Sequence, residues 1–215
     1  MEFKVYHEYF KRIFDFILAF FLLVFLLPLM VSICVLIIFT MGSPVFFLQD
    51  RIGVNGRVFR LIKFRSMTNA ESESESFDEP NLRTTKIGRF LRKSSLDELP
   101  ELWNILRGQM SFVGPRPLPK HYSKRFTTRQ WKRHCVRPGL TGLAQIKGRT
   151  KLTWLRRFSY DLWYTNNGGI FIDLSILFLT ARTLIDTRSA EFVVEKEMPD
   201  FRGQLLSKSK PNDIK

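Results

Sequence analysis

Cysteine and histidine are scarce in this chain of 215 residues, which holds 2 Cys and 3 His. Two cysteines cannot supply the disulfide framework of a small secreted protein. The histidines, His7, His121 and His134, are scattered, so neither a zinc site nor a Ser-His triad is indicated. The motifs G-x-x-x-x-G-K-S/T, G-x-G-x-x-G, H-E-x-x-H, G-x-S-x-G and C-x-x-C are absent as well. The sequence therefore excludes the enzyme classes that depend on these motifs.

Acidic side chains are outnumbered, because 20 aspartates and glutamates face 34 lysines and arginines, for a net charge of +14 at pH 7. The imbalance is greatest from Arg116 to Arg157, where 13 lysines and arginines occur without an acidic residue. A helix over residues 120–134 with a solvated basic face is one interpretation. Since so many like charges repel one another, we expect anions to neutralise them, namely the phosphates of a nucleotide, a lipid or a nucleic acid.

Hydrophobic residues are abundant, and one long run carries no formal charge: the 24 residues from Phe16 to Phe39. About 20 apolar residues in a helix cross the hydrocarbon core of a bilayer, so the run predicts a membrane segment. A secretory signal peptide is the alternative, since Lys4, Lys11 and Arg12 precede the run. The length of the run and the absence of a small-x-small cleavage site favour a retained membrane segment.

Pro28 lies in the middle of this segment. Proline has no N–H and its ring clashes with the carbonyl four residues earlier, so the helix is expected to kink or break. A kinked helix still spans the bilayer, whereas a helix broken at Pro28 can enter and leave by the same face. Basic residues mark the cytoplasmic side of a membrane segment. They occur on both sides of this one, within residues 4–12 and 51–65, which favours the re-entrant arrangement.

Two short β-prone runs follow the membrane segment, Val45–Leu48 and Val58–Phe64. Asn55-Gly56 lies between them and is a turn signal, so a β-hairpin is predicted. Residues 69–81 are polar and acidic, which predicts a surface loop. A phosphorylation or metal site in its Glu-Ser run is the minor alternative.

A second apolar stretch covers residues 170–185. Asp173 and Arg182 leave too few uncharged residues between them for a bilayer span, so an amphipathic helix in the membrane interface, or one packed in the core, is expected. The residues after it become rich in serine and lysine, which predicts a loose tail. The predicted division of the chain is a membrane-inserted part, a cytoplasmic catalytic domain and a loose basic tail, at 1–42, 43–202 and 203–215.

The segment Ser94–Gly108 combines helical spacing with two adjacent carboxylates. Its leucines recur at helical spacing, Pro100 suits the first turn of a helix, and a glycine closes the segment. Asp97 and Glu98 therefore lie at or just before a helix N-terminus. From these residues alone, Ser95 followed by Glu98 is favoured as a capping box.

Adjacent carboxylates can also divide labour in catalysis, one attacking as a nucleophile while the other holds Mg²⁺. Mg²⁺ prefers one or two carboxylates together with the phosphate oxygens of a substrate. Arg116, within Gly114-Pro115-Arg116-Pro117, would be presented on a stiff loop for bidentate phosphate binding. Because other catalytic motifs are absent, the pair Asp97-Glu98 and its basic surroundings are the candidates for chemistry.

Several motifs together resemble those of a known family. In chain order they are K-R-I-F-D with a proline-containing apolar helix, Q-D-R-I-G-x-x-G-x-x-F, K-F-R-S-M, S-S-L-D-E-L-P-E-L-W-N-I-L-x-G, S-F-V-G-P-R-P and V-R-P-G-L-T-G-L-A-Q-I-x-G-R. From about Lys11 to about Ile185, the chain is similar to the bacterial sugar transferases called polyprenol-phosphate phosphoglycosyl transferases, in their small monotopic form. One position departs from the pattern, since Leu27 precedes Pro28 where many relatives have serine. Leucine cannot hydrogen-bond the backbone groups that a break would free.

The resemblance implies a fold and an activity. Together with the patterns above, it predicts an α+β, mostly helical protein with a re-entrant N-terminal membrane helix broken at Pro28, a short β-hairpin and amphipathic interfacial helices. The implied reaction is a Mg²⁺-dependent transfer of a sugar-1-phosphate from a UDP-sugar to undecaprenyl phosphate, which releases UMP through a phospho-aspartyl intermediate. It would begin a surface glycan, such as capsule, O-antigen, exopolysaccharide or a protein-linked oligosaccharide, on the cytoplasmic face of the bacterial inner membrane.

The resemblance also assigns residues. The nucleophile of the family's motif corresponds to Asp97, and the neighbouring Glu98 supports Mg²⁺, so both are expected at the metal and the capping-box interpretation is displaced. The other expected substrate-binding residues lie mostly in the basic motifs; they are Lys63, Arg65, Arg92, Pro115, Arg116, Pro117, Arg137, Arg149 and Asp173.

The expected partners are a UDP-sugar, undecaprenyl phosphate and membrane lipids, with no nucleic acid, and a homodimer is left open. Two other classes of protein fit parts of the sequence. A membrane-anchored nucleic-acid-binding module would use the stretch Arg116–Arg157 and would not depend on Asp97. A catalytically inactive scaffold for other glycan enzymes would not need intact D-E and P-R-P motifs.

Overall fold

The computed structural model describes residues 6–67, 84–148, 152–185 and 201. Helices dominate these residues beside two short two-stranded sheets, so the predicted α+β, mostly helical class is confirmed. The α-helices α1 to α7 are Lys11–Met41, Lys86–Lys93, Glu101–Leu106, Thr128–Trp131, Leu143–Gly148, Trp154–Asn167 and Ile170–Ile185. The strands β1 to β4 are Phe46–Ile52, Val58–Phe64, Ser111–Val113 and Gly139–Thr141. A π-helical turn, Tyr6–Phe10, leads into α1.

Helix α1 contains the predicted apolar run and is, among the described residues, the one helix long and apolar enough to cross a membrane. It continues through Pro28 for 31 residues in total, which corrects the expectation that proline breaks it into two helices. A long helix can absorb the missing N–H and the ring clash by bending. The Ser32 hydroxyl donates to the Pro28 carbonyl at 2.9 Å. Re-entry from one membrane face remains a prediction.

One face of α1 packs against the rest of the protein over much of its length. Its buried side chains include Lys11, Asp15 and Ala19 in the first half and Ile33 and Ile37 in the second. Steps of four residues keep side chains on one face of a helix. The remaining faces expose large apolar side chains, and only 11% of the most apolar 18-residue window is buried. This pattern fits a helix that lies between protein and lipid, because so large an exposed apolar surface is unfavourable in water.

Strands β1 and β2 form the predicted antiparallel hairpin in continuous register. Asn55 and Gly56 in the turn have φ values of 54° and 76°, left-handed backbone that asparagine and glycine adopt most readily. Strand β1 extends to Ile52, beyond the predicted end at Leu48. The ladder continues through the polar residues 49–51, which a hydrophobic pattern does not mark as strand.

Strands β3 and β4 pair in parallel, which the sequence does not predict because each has only three residues. Gly114 follows β3 and lies against the chain that enters β4. A Cβ atom on Gly114 would come within 2.3 Å of the Arg137 carbonyl oxygen, so only glycine fits there. This close approach fixes the start of the loop Gly114–Pro117.

The single basic helix predicted over residues 120–134 is wrong. The chain forms 3₁₀ turns at Lys120–Arg125 and Lys132–Cys135, separated by a one-turn α4. Thr127 interrupts the helix because its side chain caps α4 in a capping box with Gln130. The interruption also turns aromatic side chains inward to a buried cluster; its members include Tyr122, Phe126, Phe158 and Phe201.

The largest core cluster joins α1 to the rest of the protein. Ala19 of α1 packs with Leu61 of β2, Ile105 of α3 and Ile176 of α7. The predicted helix at 170–185 is thereby confirmed as α7, with Ile176 in the core while Phe178 on another face is 70% exposed. One face of the helix therefore packs in the core, and the position of its exposed face in the membrane interface remains a prediction. The proposed three-part division of the chain remains a prediction, and both the acidic loop at 69–81 and the tail at 203–215 lie outside the described residues.

Candidate active site

The two adjacent carboxylates lie on a short 3₁₀ turn, Leu96–Glu98, between α2 and α3. Ser95 directly precedes this turn and has a left-handed backbone conformation, with φ 57°. Its side chain makes no capping hydrogen bond, and Pro100 occupies the N-cap position of α3 instead. The capping-box interpretation is therefore wrong.

Glu98 is held by two cations. Its Oε1 lies 2.5 Å from Lys63 Nζ and 2.9 Å from Arg116 Nη2. Lys63 Nζ also lies 3.1 Å from Oε1 of Glu101, so it bridges two carboxylates. Charge-assisted contacts of this length are among the strongest polar interactions in proteins. We call Lys63, Asp97, Glu98, Glu101 and Arg116 the carboxylate cluster.

Strand β2 and helix α3 are fixed to one another next to this cluster. The buried side chain of Asn104 on α3 accepts a hydrogen bond from Ile62 N at 3.2 Å and donates to the Arg60 carbonyl at 2.8 Å. Both partners lie on β2, where they flank Leu61, and Ile62 directly precedes Lys63. The Lys63 side chain therefore reaches Glu98 and Glu101 from a strand whose distance to α3 is set by a side-chain clamp.

Arg116 is held through its backbone while its side chain stays accessible. The buried Arg133 donates from Nη2 to the Arg116 carbonyl at 2.7 Å. Arg133 is itself paired with the buried Asp161, through Nε at 3.0 Å and Nη2 at 2.8 Å. The Arg116 side chain keeps 42% of its surface exposed, so it can bind Glu98 and still face a ligand. Pro115 and Pro117 are buried on either side of it.

Asp97 differs from its neighbours because its carboxylate has no hydrogen bond or ion pair within the described part of the chain. Burial, and then the charge of Glu98, raise its pKa to about 6, against the opposing effect of Lys63, Arg92 and Arg116. Burial also acts to raise the pKa of Glu98, but Lys63 and Arg116 outweigh it and lower that pKa. Environments that separate the pKa values of adjacent carboxylates are typical of sites where each has a distinct role.

The structure brings together some predicted site residues and separates others. Lys63, Asp97, Glu98 and Arg116 are in the cluster, and Arg92 on α2 lies close enough to lower the pKa of Asp97. Arg149 lies outside the described residues.

Three predicted residues contact other parts of the protein. Arg65 donates to carbonyls at the end of α1, at 3.0 Å for Ser43 and 2.6 Å for Gly42. Arg137 Nε donates to the Gly108 carbonyl at 3.1 Å, just after α3. Asp173 on α7 is ion-paired with Lys11 of α1. These contacts join α1 and α3 to the rest of the fold.

The sequence did not identify Glu101 or Arg51 as site residues. Glu101 is 3% exposed, and burial together with Glu98 raises its pKa, against the effect of Lys63. Arg51 shares a small pocket with Lys63, Glu101 and Arg116. The available signals were the position of Glu101 one helical turn after Glu98, and that of Arg51 in the Q-D-R-I-G motif.

The donor set for a metal ion is small. No group of three or more histidine, cysteine or acidic side chains suited to a metal occurs in the described ranges. Asp97 and Oε2 of Glu98 are nevertheless without a protein partner there. Mg²⁺ commonly takes one or two carboxylates and fills its other positions with water and substrate phosphate. The two residues fit such an ion.

Comparison with known proteins agrees with these features. A model of the bacterial sugar transferase family matches residues 6–187. The chain is 44% identical over 81% of its length to an uncharacterized sugar transferase, EpsL, of Bacillus subtilis (strain 168), covering 87% of that protein. It is 38% identical over 79% of its length to the exopolysaccharide production protein ExoY of Rhizobium meliloti (strain 1021), covering 83% of it.

A longer relative carries a more specific name. The UDP-glucose:undecaprenyl-phosphate glucose-1-phosphate transferase of Klebsiella pneumoniae is 40% identical over 80% of this chain. The chain spans 39% of the length of that protein. The family match covers most of the chain, including α1 and the carboxylate cluster. The chain therefore belongs to the bacterial sugar transferase family.

Proposed function

We propose that this protein transfers a sugar-1-phosphate from a UDP-sugar to undecaprenyl phosphate and releases UMP, as the first membrane step of a surface glycan. The names of relatives support the substrates, since one is a UDP-glucose:undecaprenyl-phosphate glucose-1-phosphate transferase and another an exopolysaccharide production protein. The observation that carries the proposal is the buried Asp97 carboxylate, free of hydrogen bonds in the described chain and adjacent to an anion held by Lys63 and Arg116. A buried carboxylate without a partner destabilises the fold, so its retention indicates a role in catalysis.

In the first step, a carboxylate oxygen of Asp97 forms a bond to the β-phosphorus of the UDP-sugar. The bond from that phosphorus to the bridging oxygen breaks, and UMP leaves with the bridging oxygen. In the second step, a phosphate oxygen of undecaprenyl phosphate attacks the same phosphorus and the Asp97 carboxylate is released. Splitting the reaction this way lets one site serve two anionic substrates in turn.

The basic residues of the cluster make the approach of two anions feasible. Arg116, half exposed and fixed at its carbonyl by Arg133, is placed to bind the diphosphate with its planar guanidinium. Lys63 holds Glu98 and Glu101 in place and adds positive charge. Such preorganised donors stabilise the charge that develops on transferring phosphoryl oxygens.

Asp97 and Glu98 are the residues that would hold Mg²⁺. When bound, the ion neutralises phosphate charge and so assists the departure of UMP. The charge of Glu98 raises the pKa of Asp97, and a cation bound by both carboxylates would offset this repulsion.

A location at the cytoplasmic face of the bacterial inner membrane belongs to the proposal. The exposed apolar faces of α1 support membrane insertion, and basic residues on both sides of the segment support two cytoplasmic ends.

A covalent intermediate can be tested without knowledge of the acceptor. The purified protein, given Mg²⁺ and a panel of UDP-sugars but no undecaprenyl phosphate, should release a single equivalent of UMP with the correct sugar and then stop. Asp97→Asn should abolish this burst, because an amide is not a nucleophile. Asp50→Asn is the matched control, since Asp50 is on the exposed hairpin with its side chain 49% exposed, and it should retain the burst.

Continued release of UMP without undecaprenyl phosphate would indicate hydrolysis of the UDP-sugar and would contradict a stable covalent intermediate. A burst that persists in Asp97→Asn would exclude Asp97 as the nucleophile.

A further inference from the structure

Arg51 lies at the far end of β1, where the hairpin meets the loop that carries Arg116. Its backbone forms an antiparallel bridge with Pro119, and the next residue, Ile52, donates from its N–H to the Leu118 carbonyl at 3.0 Å. The hairpin and the loop are therefore joined by backbone hydrogen bonds at this point. The side chain of Arg51 is consequently held at a fixed place beside Arg116.

The guanidinium of Arg51 uses only part of its donor capacity. Nη1 donates to the Pro117 carbonyl at 3.2 Å, and Nη2 donates to Gln49 Oε1 at 2.5 Å. Nε is buried and has no hydrogen-bond partner in the described part of the protein. A buried donor without an acceptor destabilises the fold, so its retention calls for an acceptor that arrives with a ligand.

The charges around Arg51 identify the kind of acceptor. No carboxylate lies within ion-pair distance of it among residues 6–67, 84–148, 152–185 and 201. The pocket it lines has three cationic side chains, Arg51, Lys63 and Arg116, and one carboxylate, Glu101. Burial and the nearby Arg116 lower the pKa of Arg51 to about 10, which still leaves it charged at neutral pH. A ligand group that enters this pocket is therefore anionic and rich in acceptor oxygens.

We infer that Arg51 is a phosphate-binding residue, whose Nε–H donates to an oxygen of the UDP-sugar diphosphate beside Arg116. This inference rests on the proposed function. It adds to the site a residue that comes from the hairpin rather than from the loop Gly114–Pro117. Two guanidinium groups in one pocket suit a diphosphate, which has more anionic oxygens than one fork can bind.

If Arg51 binds phosphate, substitutions of Arg51 should weaken the binding of ligands that carry phosphates and leave binding of the nucleoside alone unchanged. Binding of UDP and of uridine to the full-length protein in detergent is measured by calorimetry, without turnover. Arg51→Lys keeps the positive charge and removes the fork and the Nε–H, so UDP binding should weaken by about tenfold or more. Uridine binding should stay unchanged. Arg57→Lys is the matched control, since Arg57 is an exposed arginine in the turn of the same hairpin.

Substitution of Arg51 also removes its hydrogen bond to the Pro117 carbonyl, so a second variant is needed to distinguish an effect on the loop from an effect on phosphate binding. Arg51→Gln keeps amide N–H groups of similar reach but no charge, and it should weaken UDP binding at least as much while uridine binding persists. Equal weakening of UDP and uridine in both variants would mean that Arg51 only clamps the loop, and normal UDP binding by Arg51→Lys would also overturn the inference. Failure of the wild-type protein to bind UDP or release UMP would contradict the proposed function itself, which makes the two failures distinguishable.

Discussion

Asp97 shows how a single residue can be kept in an unfavourable state. It is 9% exposed, and its pKa of about 6 reflects burial first and the charge of Glu98 second. Lys63 and Arg116 approach Glu98 instead, so the strongest contacts of the cluster leave Asp97 unpaired. Residues that depart from the usual pairing of buried charges concentrate at functional sites.

This state predicts a pH-dependent effect of Asp97→Asn on stability. The folded protein holds the Asp97 proton up to about pH 6, whereas an unfolded chain releases it near 3.8, so ionised Asp97 destabilises the fold above both values. The shift corresponds to about 3 kcal/mol at most. Asp97→Asn should therefore raise the unfolding temperature at about pH 8 and have little effect at about pH 4.

The measurement is thermal unfolding in detergent at both pH values, with Asp50→Asn as the exposed control. The same change in unfolding temperature at both pH values would contradict the predicted ionisation. So would a destabilised variant at about pH 8. A variant that gains stability while losing the UMP burst would show the conflict between stability and activity that catalytic groups often impose.

At the scale of elements, the N-terminal end of α1 is attached to three parts of the fold. Lys11 is ion-paired with Asp173 on α7. Arg12 donates to the carbonyls of Ile105 at 2.7 Å and Leu106 at 2.6 Å, at the end of α3. Asp15 Oδ1 accepts from the N–H of Phe112 on β3 at 3.2 Å. Arg12 thereby also binds carbonyl groups that the end of α3 leaves without intrahelical partners.

The Lys11–Asp173 pair predicts that Asp173→Asn affects stability rather than substrate binding. Both side chains are buried, and an uncompensated buried charge costs about 3–5 kcal/mol. We expect a lower unfolding temperature and an unchanged KM for the UDP-sugar. Adding Lys11→Met should recover much of the lost stability, because the lone charge is then removed.

Thermal unfolding and steady-state kinetics of the single and double variants check this expectation. Normal stability with a raised KM in Asp173→Asn would instead support the substrate-binding role that the family resemblance implies for Asp173.

At the scale of the whole molecule, both ends of α1 contact one domain. Its start is held by Asp173 and by the end of α3, and the carbonyls of its last residue and of Gly42 accept hydrogen bonds from Arg65. A straight helix of 31 residues is about 46 Å long, longer than the hydrocarbon core. Contacts from one domain to both ends favour two cytoplasmic ends, the arrangement that the flanking basic residues also favour.

Cysteine labelling in intact cells tests this topology. The native Cys135 is exposed and lies outside α1, so it can report on the part of the protein that carries the carboxylate cluster. A protein with Lys4→Cys and Cys34→Ser therefore carries one reporter before α1 and one on the catalytic domain. Neither should react with an impermeant maleimide until the membrane is permeabilised, when Cys135 serves as the positive control. Labelling of position 4 alone in intact cells would establish a spanning helix.

The sequence by itself determined the elements whose signals are local. The membrane helix follows from an uninterrupted apolar run, the hairpin from Asn55-Gly56, and the limits of α3 from Pro100 and Gly108. It also contained the adjacent pair Asp97-Glu98 and the motif around Arg116. It could not establish that a capping box at Ser95 would be absent, because tertiary packing decides this. The division of residues 120–134 has a local cause in the Thr127–Gln130 capping box, which the pattern of basic residues does not indicate.

Only the tertiary structure decided which charged side chains meet. Arg65 and Arg116 are equally basic in the sequence, yet one binds the end of the membrane helix and the other binds Glu98. Asp173 pairs with Lys11 across 162 positions of the chain, and Lys63 reaches Glu98 across 35. Such pairs depend on how β2, α3 and α7 pack, and no local pattern encodes that packing. The free Nε donor of Arg51 and the unpaired carboxylate of Asp97 are consequences of the same packing, in which the neighbouring charged side chains bind one another.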